Sequence, residues 1–394
     1  MTSIERRASG WLASIFALRM LGLFLILPVF AIYGKELKGG DEAYLIGLAI
    51  SIYGLTQAIF QIPFGAASDR LGRKPVIVFG LIVFAVGSAV AALSDSIAGM
   101  IVGRAIQGAG AVSAAVSAFI SDSTRDEVRT KAMAMVGASI GLTFAFSLIV
   151  SPPLTAAIGL SGLFWLTAFL AIAGIFVVLY LVPPAPVLAE QPAPIAHGDV
   201  LFNPQLFRLN VGVFLLHMFQ TAIFVVVPVL LVERGALPPP SHWQVYLPVI
   251  LVSFALMVPP MILAERKGKV RAVFLCGIGL LCIAMLAAPT LISSRSAALG
   301  GIVGFLLLFF IAFNLLEAMQ PSLVSRLAPA RVKGFALGVY NTTMALGLFA
   351  GGIVGGTLAK RFGNETVFYG CAALAALWFV VAYSMKPPPA RKEN

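Results

Sequence analysis

Charged residues are scarce in this sequence. Asp, Glu, Lys and Arg make up 11% of its 394 residues, whereas hydrophobic residues make up 60%. A soluble domain carries about 25% charged and about 45–50% apolar residues, because its surface must face water. The mean hydropathy of +0.98 points the same way. The composition therefore excludes a soluble enzyme, a disordered chain and a secreted disulfide scaffold, and leaves an integral membrane protein.

Cysteine and histidine are also rare, at three residues each. An odd number of cysteines in apolar runs provides no disulfide framework. The histidines are far apart, and no Cys/His spacing resembles that of a metal site. No nucleophile–base arrangement is visible either. We therefore expect no metal, no cofactor and no enzymatic activity.

Long apolar runs dominate the chain instead. They are continuous, as in membrane helices, and lack the alternation of membrane β-strands. A helix that crosses a bilayer needs about 20 such residues. Twelve runs satisfy this length, so the sequence predicts an all-α membrane protein with spans at 11–33, 44–66, 76–94, 98–121, 132–157, 162–182, 209–232, 243–264, 272–292, 298–320, 334–358 and 365–385.

The basic residues are distributed unequally between the two sides of these spans. Of the 27 Lys and Arg residues, 19 fall on the side of the N-terminus, six fall opposite, and Arg19 and Arg104 lie within spans. Basic loops mark the cytoplasmic side. Both termini are therefore predicted to be cytoplasmic in a multi-pass protein of the cell inner membrane. The net charge of +11 follows from this topology, so we expect no nucleic-acid partner.

A proline-rich stretch divides the spans into two groups of six. It predicts an N-terminal bundle (1–182), a cytoplasmic linker (183–208) and a C-terminal bundle (209–394). A short interfacial helix within the linker is a further option.

The two halves share a sequence pattern. Asp69-Arg70-Leu71-Gly72-Arg73 after the second span matches Glu265-Arg266-Lys267-Gly268-Lys269 after the eighth. One interpretation is an internal repeat, which is typical of transporters with pseudo-symmetric halves and a substrate site near the midplane. The alternative is that all inner loops look alike because all are basic.

The segment Gly65-Ala66-Ala67-Ser68-Asp69-Arg70-Leu71-Gly72-Arg73-Lys74 resembles the loop 2–3 signature of the major facilitator superfamily at every position. Arg104-Ala105-Ile106-Gln107-Gly108-Ala109-Gly110-Ala111 is similar to the family's span 4 signature, common in proton-driven members. Leu18-Arg19-Met20-Leu21-Gly22 and Tyr53-Gly54-Leu55-Thr56-Gln57-Ala58 resemble stretches of the YajR branch of drug–proton antiporters. The resemblance covers essentially the whole chain and implies the major facilitator fold, two pseudo-symmetric six-helix bundles.

The resemblance also assigns a role to the signature loop. It implies that Arg73 reaches Asp122 and that Asp69 approaches the start of the eleventh span, which together would act as a conformational latch. The latch residues are Gly65, Asp69, Arg70, Gly72, Arg73, Lys74 and Asp122. Gly72 would permit the tight turn, and Gly65 would permit close helix packing. The alternative is that these charges only set the topology.

Three charged residues lie inside predicted spans and are candidates for proton coupling: Glu317, Arg104 and Arg19. A charge at the centre of a membrane helix costs roughly 2.5–3.5 kcal/mol and commonly marks a functional site. Burial disfavours the charged form of a carboxyl group. A carboxyl that is buried in one state and hydrated in another therefore couples proton binding to conformation. The alternatives are a structural carboxyl for Glu317 and snorkelling for the arginines.

Neutral polar residues recur at helical spacing within the spans. The candidates for lining a substrate cavity are Tyr53, Gln57, Gln61, Gln107, His217, Gln220, Asn314 and Asn341. Hydrogen bonding between helices is an equally good explanation of such stripes. Gly347, Gly351 and Gly355, spaced by four, predict a seam of close helix packing.

These features favour a secondary active transporter that exports small organic compounds in exchange for protons. The expected partners are a small-molecule substrate, protons and the lipid bilayer, and the expected state is a monomer. Two alternatives remain: a sugar, amino acid or metabolite transporter of the same fold, and a non-transporting membrane receptor or assembly factor.

The predicted topology can be tested by cysteine labelling. Ile195→Cys and Ala390→Cys in a cysteine-free background should resist an impermeant maleimide in intact cells and react after permeabilisation, because both positions are predicted to be cytoplasmic. Lys38→Cys, on the predicted outer side, is the matched control and should react in intact cells. Efficient labelling of positions 195 and 390 from outside would contradict the topology.

Overall fold

The structure, a computed structural model, describes residues 1–184, 198–293, 297–328 and 333–385. In these ranges all long elements are helices. The chain divides into two compact units, Met1–Pro194 and Ile195–Asn394.

The first unit uses several broken helices. Its elements are α1 (Ser3–Phe24), α2 (Leu27–Tyr33), α3 (Ala43–Leu71), α4 (Arg73–Ala92), α5 (Ile97–Ala109), α6 (Ser113–Asp122) and α7 (Asp126–Phe176), which a π-helical turn, Val177–Leu181, extends. Helices α1 and α2 together form the first predicted span. Helices α5 and α6 form the fourth, which breaks at Gly110, just past the signature residues Arg104 and Gln107.

The helices of the second unit are mostly continuous. They are α8 (Gly198–Leu201), α9 (Pro204–Glu233), α10 (Trp243–Arg266), α11 (Val270–Ser293), α12 (Ala298–Leu327), α13 (Lys333–Phe362) and α14 (Asn364–Tyr383). Helix α9 begins at Pro204 rather than at the predicted 209. The reason is local: the side chain of Asn203 accepts hydrogen bonds from the N–H groups of Gln205 and Leu206, and a proline fits the first helical position.

The described residues contain eleven helical segments that are long and apolar enough to cross a membrane. One of them, Met135–Leu181, has 47 residues, which at 1.5 Å per residue is about 70 Å, twice the thickness of a bilayer's hydrocarbon core. Gly159 breaks this segment with a φ of 71°, between the predicted spans 132–157 and 162–182. The all-α fold with twelve spans is thereby confirmed.

Large apolar side chains cover the outside of both units. Ile62, Phe169 and Val380, for example, are 66%, 64% and 69% exposed. In water such surfaces would drive aggregation. Against lipid they cost nothing, so their number fits a protein surrounded by hydrocarbon chains.

The turns between α3 and α4 and between α10 and α11 share an unusual backbone. Gly72 and Gly268 stand at matching positions of the two sequence repeats, and both have positive φ angles, 93° and 65°. Glycine adopts this conformation without the strain of a Cβ atom. A shared basic composition would not require a shared backbone, so the observation favours the internal repeat.

A seam of glycines brings α13 against α9. A Cβ atom at Gly347 would lie 2.3 Å from the carbonyl oxygen of Phe214, and one at Gly351 would lie 2.2 Å from that of Met218. At Gly355 the nearest atom, Cα of Ala222, is 2.8 Å away. These distances confirm the predicted packing seam.

The seam predicts opposite effects of one substitution at two positions of α13. Gly351→Ala should destabilise the protein by about 1–3 kcal/mol, because the backbone of α9 must move away. Gly338→Ala is the matched control: nothing lies within 4 Å of its Cβ position, and alanine favours a helix by about 1 kcal/mol. Thermal unfolding of both variants in detergent would measure the difference, and equal midpoints would contradict the seam.

Candidate functional site

A network of charged groups surrounds Arg73 at the start of α4. Its Nε donates to Asp122 Oδ2 at 2.7 Å. Its Nη1 donates to Ser68 Oγ at 2.7 Å and to Asp69 Oδ1 at 2.5 Å. The side chain of Arg73 is 9% exposed and that of Asp122 15%, whereas that of Asp69 is 62% exposed. One guanidinium thus ties the end of α3 to the end of α6.

The remaining predicted latch residues lie around this guanidinium. Gly72 supplies the left-handed turn between α3 and α4. Lys74 Nζ donates to the carbonyl of Val182 at 2.6 Å, which fixes the end of the unit's last span. Arg70 is exposed. A Cβ atom at Gly65 would meet Ala114 at 3.4 Å, an ordinary contact, so the predicted need for glycine there does not appear in the packing.

Deeper in the first unit, Arg104 is almost fully buried, at 1% exposure. Its Nη1 donates to Gln107 Oε1 at 2.7 Å, and its Nη2 donates to the carbonyl of Ile50 at 3.0 Å. Its Nε donates to the carbonyl of Ala49 at 3.3 Å. Each of its three nitrogens therefore has an acceptor, and α5 is bound to α3.

Arg19 of α1 is also buried, at 2% exposure, but fewer acceptors surround it. Its Nη1 donates to Ser113 Oγ at 2.6 Å. Its Nε and Nη2 are buried without a hydrogen-bond partner. Its guanidinium carbon lies 5.6 Å from the ring centre of Tyr53, and that of Arg104 lies 4.9 Å from the same ring. Both buried cations therefore meet at one tyrosine.

The polar stripe of α3 continues from Tyr53. Gln57 and Gln61 are 1% and 2% exposed, yet Gln57 Oε1 and both side-chain polar atoms of Gln61 have no hydrogen-bond partner. Gln107 differs, because it also donates to Ser88 Oγ at 2.7 Å. Bonds between helices account for the polar side chain of Gln107. They do not account for Gln57 Oε1 or for the side-chain amide of Gln61, so a role for the α3 stripe in lining a substrate cavity stays a prediction.

In the second unit, Glu317 of α12 faces His217 of α9. The Nε2 atom of His217 lies 3.6 Å from Glu317 Oε2. The imidazole side chain is 7% exposed and the glutamate side chain 31%. Glu317 is also close enough to Tyr340 of α13 to interact with its phenol electrostatically. Three helices therefore meet at this acid–imidazole pair.

The other ring nitrogen defines the tautomer of His217. Its Nδ1 lies 3.1 Å from the carbonyl oxygen of Val213. A carbonyl only accepts hydrogen bonds, so Nδ1 is the donor in this contact, and Nε2 is the ring nitrogen that faces Glu317.

The other predicted polar residues of this unit lie on three helices, α9, α12 and α13. Asn314 donates to Ser253 Oγ at 3.0 Å and thereby joins α12 to α10. Gln220 is buried on α9, and its Oε1 has no partner. Asn341, on α13 next to Tyr340, is half-buried. A cavity of about 290 Å³ near Leu230, Glu233 and Phe368 contains none of these residues.

Comparison with known proteins identifies the family. The sequence model described as the Major Facilitator Superfamily matches residues 12–352 and 209–394. The chain belongs to the major facilitator superfamily.

Individual members of the superfamily cover nearly the whole chain. The inner membrane transport protein YajR of Escherichia coli K12 is 48% identical over 393 residues, which is 99% of this chain and 85% of that protein. The multidrug resistance protein MdtH of Aeromonas hydrophila is 25% identical over 371 residues, 91% of this chain and 89% of the relative. The crystal structure of a D-xylose–proton symporter has a TM-score of 0.78 at 16% identity, over 99% of this chain and 100% of that one.

Membership defines the general activity. This chain is a secondary transporter of the major facilitator superfamily, a multi-pass protein of the inner membrane, and the prediction that it is not an enzyme is confirmed. The likeness to the symporter shows the fold alone.

Sequence reasoning missed several partners in this major facilitator protein. Ser68 and Ser113 accept hydrogen bonds from Arg73 and Arg19, and small hydroxyls give no distinguishing signal in a sequence. Glu5 accepts a hydrogen bond from Arg125 Nε at 2.9 Å, across 120 residues of chain. Spacing along the chain also gave no sign that His217 faces Glu317, because the two residues are 100 positions apart and lie on different helices.

The Arg73–Asp122 pair predicts non-additive stability effects. Arg73→Met alone should lower the stability of the protein by roughly 3–5 kcal/mol, because a largely buried carboxylate loses its partner. The double variant Arg73→Met, Asp122→Leu should be clearly less destabilised than the sum of the single variants. Thermal unfolding in detergent would measure this, with exposed Arg70→Met as the control that should change little. Additive effects would contradict the pairing.

Proposed function

We propose that this protein exports small organic compounds in exchange for protons, and that His217 and Glu317 carry the coupling proton. The supporting observation is the 3.6 Å separation of His217 Nε2 and Glu317 Oε2. Among the side chains that the structure describes within the spans, this pair alone joins an acid and an imidazole. Ionisable residues in a membrane interior commonly mark proton pathways.

The geometry supports uptake of a single proton by the pair. The carbonyl of Val213 holds the proton on Nδ1 of His217, so a proton from solution adds between Nε2 and the carboxylate. The side chain of Glu317 is 31% exposed although its Oε2 atom is buried. One oxygen therefore faces the imidazole while the rest of the carboxylate is accessible to an incoming proton.

Coupling requires that the proton affinity of the pair differ between conformations. In alternating access, the pair is hydrated in one state and dehydrated in the other. Dehydration favours the neutral form of a carboxyl group. Proton binding then shifts the conformational equilibrium, and the proton gradient drives substrate in the opposite direction.

The Arg73 network is the proposed conformational latch. It rigidly joins α3, α4 and α6, and it leaves Asp69 largely exposed beside the turn at Gly72. A negative charge in such a position favours the N-terminus of another helix. The approach of Asp69 to the start of the eleventh span, together with the cytoplasmic position of this loop, stays a prediction.

Multidrug export is the substrate class that the relatives' names favour, since MdtH is named a multidrug resistance protein. Transport of sugars, amino acids or other metabolites remains the alternative within the same fold. In both cases the His217–Glu317 pair would have the same task.

The proposal predicts the phenotype of Glu317→Gln, which removes the titratable proton and keeps the size of the side chain. In proteoliposomes with an imposed pH gradient, accumulation of ciprofloxacin should fall by about tenfold or more, because the proton affinity no longer differs between states. Counterflow of ciprofloxacin without a gradient should persist. Exposed Glu365→Gln on α14 is the matched control and should behave like the parent protein.

Three results would count against this assignment. Full gradient-driven accumulation by Glu317→Gln would move coupling to another group, with Asp122 as the next candidate. Loss of folding would favour a structural carboxyl; a second variant, His217→Asn, then tests the same pair. Absence of transport of any tested drug, sugar or amino acid by the parent protein would favour a receptor.

A further inference from the structure

The interior of the first unit holds two positive charges that the described residues do not neutralise. Arg19 and Arg104 are 2% and 1% exposed and flank the ring of Tyr53. Guanidinium groups stay charged in proteins at all ordinary pH values. Two such groups beside one ring also repel each other, so the site favours a negative charge.

The carboxylates described in this unit lie elsewhere. Those of Glu5, Asp69, Asp95 and Asp122 pair with other basic residues at the ends of helices. The side chains of Glu36, Asp41 and Glu42 are exposed in the segment between α2 and α3. No described carboxylate of the unit therefore contacts Arg19 or Arg104.

The hydrogen-bond donors of Arg19 that lack an acceptor lie on one edge of its guanidinium group. Its Nη1 atom is used by Ser113, whereas Nε and Nη2 have no partner. In arginine the N–H bonds of Nε and Nη2 point in parallel along the same edge, the arrangement that binds both oxygens of a carboxylate. Arg104 differs, because carbonyls and Gln107 already occupy its nitrogens.

Further unsatisfied polar atoms extend from this edge along α3. The hydroxyl of Tyr53 has no partner, and neither do Gln57 Oε1 and both side-chain polar atoms of Gln61. At 1.5 Å per residue, Gln57 and Gln61 lie about 6 and 12 Å beyond Tyr53 along the helix. These distances fit an organic molecule with a second polar group better than they fit a small inorganic ion.

We propose that the substrates of this transporter carry a carboxylate, which binds the Nε–Nη2 edge of Arg19 and the hydroxyl of Tyr53. The inference rests on the proposed function, since it assigns the class of compound that is exported. The ring of Phe84, whose centre is 6.4 Å from that of Tyr53, provides an apolar wall for the body of the substrate. Gln57 and Gln61 then contact its more distant polar groups.

Binding of benzoate to the purified protein in detergent tests the proposal without a proton gradient. Benzoate should raise the thermal unfolding midpoint in a saturable manner, and benzamide, its neutral analogue, should not. Arg19→Gln should weaken benzoate binding by about tenfold or more, because a bidentate charged contact is lost. Tyr53→Phe should weaken it by a smaller factor.

Matched controls separate this site from the proton site and from folding defects. Arg7→Gln makes the same change at an exposed position of α1 and should leave binding unchanged. The binding assay uses no proton gradient, so a failure of proton coupling does not affect this result. If Arg19→Gln does not fold, Arg19→Lys keeps the charge but loses the paired N–H edge and should bind weakly.

Transport distinguishes a substrate from a resident ion. Counterflow of radiolabelled benzoate in proteoliposomes should occur with the parent protein and disappear with Arg19→Gln. The proposal is overturned if benzamide binds as well as benzoate, or if Arg19→Gln binds benzoate normally. It is also overturned if chloride or phosphate stabilises the protein and displaces benzoate while benzoate is not transported, since Arg19 would then hold an inorganic counter-ion.

Discussion

The cost of a polar group in a water-free hydrocarbon layer governs this structure. A backbone N–H or C=O without a partner costs several kcal/mol there, so helices that satisfy their own backbone must cross the membrane. The same cost applies to side chains. It explains why charges are rare in the spans, and why each buried charge needs a partner, an exit to water or a ligand.

The two units meet this requirement by different chemistry. In the first unit, Arg104 is satisfied by carbonyls of α3 and by Gln107, while Arg19 retains an unoccupied edge. In the second unit, Glu317 faces His217, but 3.6 Å separate Oε2 from Nε2, and Oε2 has no hydrogen-bond partner. A fixed positive charge suits the binding of an anion, and an acid beside an imidazole suits the movement of a proton, so the two proposed tasks follow from the residue types.

Close helix packing positions these groups. Gly108 of α5 approaches α3 so closely that a Cβ atom would lie 2.2 Å from the carbonyl of Tyr53. This approach brings Arg104 of α5 within reach of the carbonyls of Ala49 and Ile50. In the second unit, the glycine seam at Gly351 brings α13 against α9, which places Tyr340 on the helix beside His217. In lipid, where no hydrophobic force joins helices, small residues provide the contact on which such sites depend.

The amino-acid sequence by itself determined the membrane class, the twelve spans, the glycine seam and the turn at Gly72. These depend on local properties, namely hydrophobic length, residue size and the freedom of a backbone without Cβ. The sequence also identified Glu317, Arg19 and Arg104 as unusual, because charge within an apolar run is visible without a fold. Only the tertiary structure decided their partners: His217 for Glu317 and Ser113 and Tyr53 for Arg19. Those partners lie on other helices, up to a hundred residues away in the chain, and contact depends on how the helices pack rather than on any spacing along them.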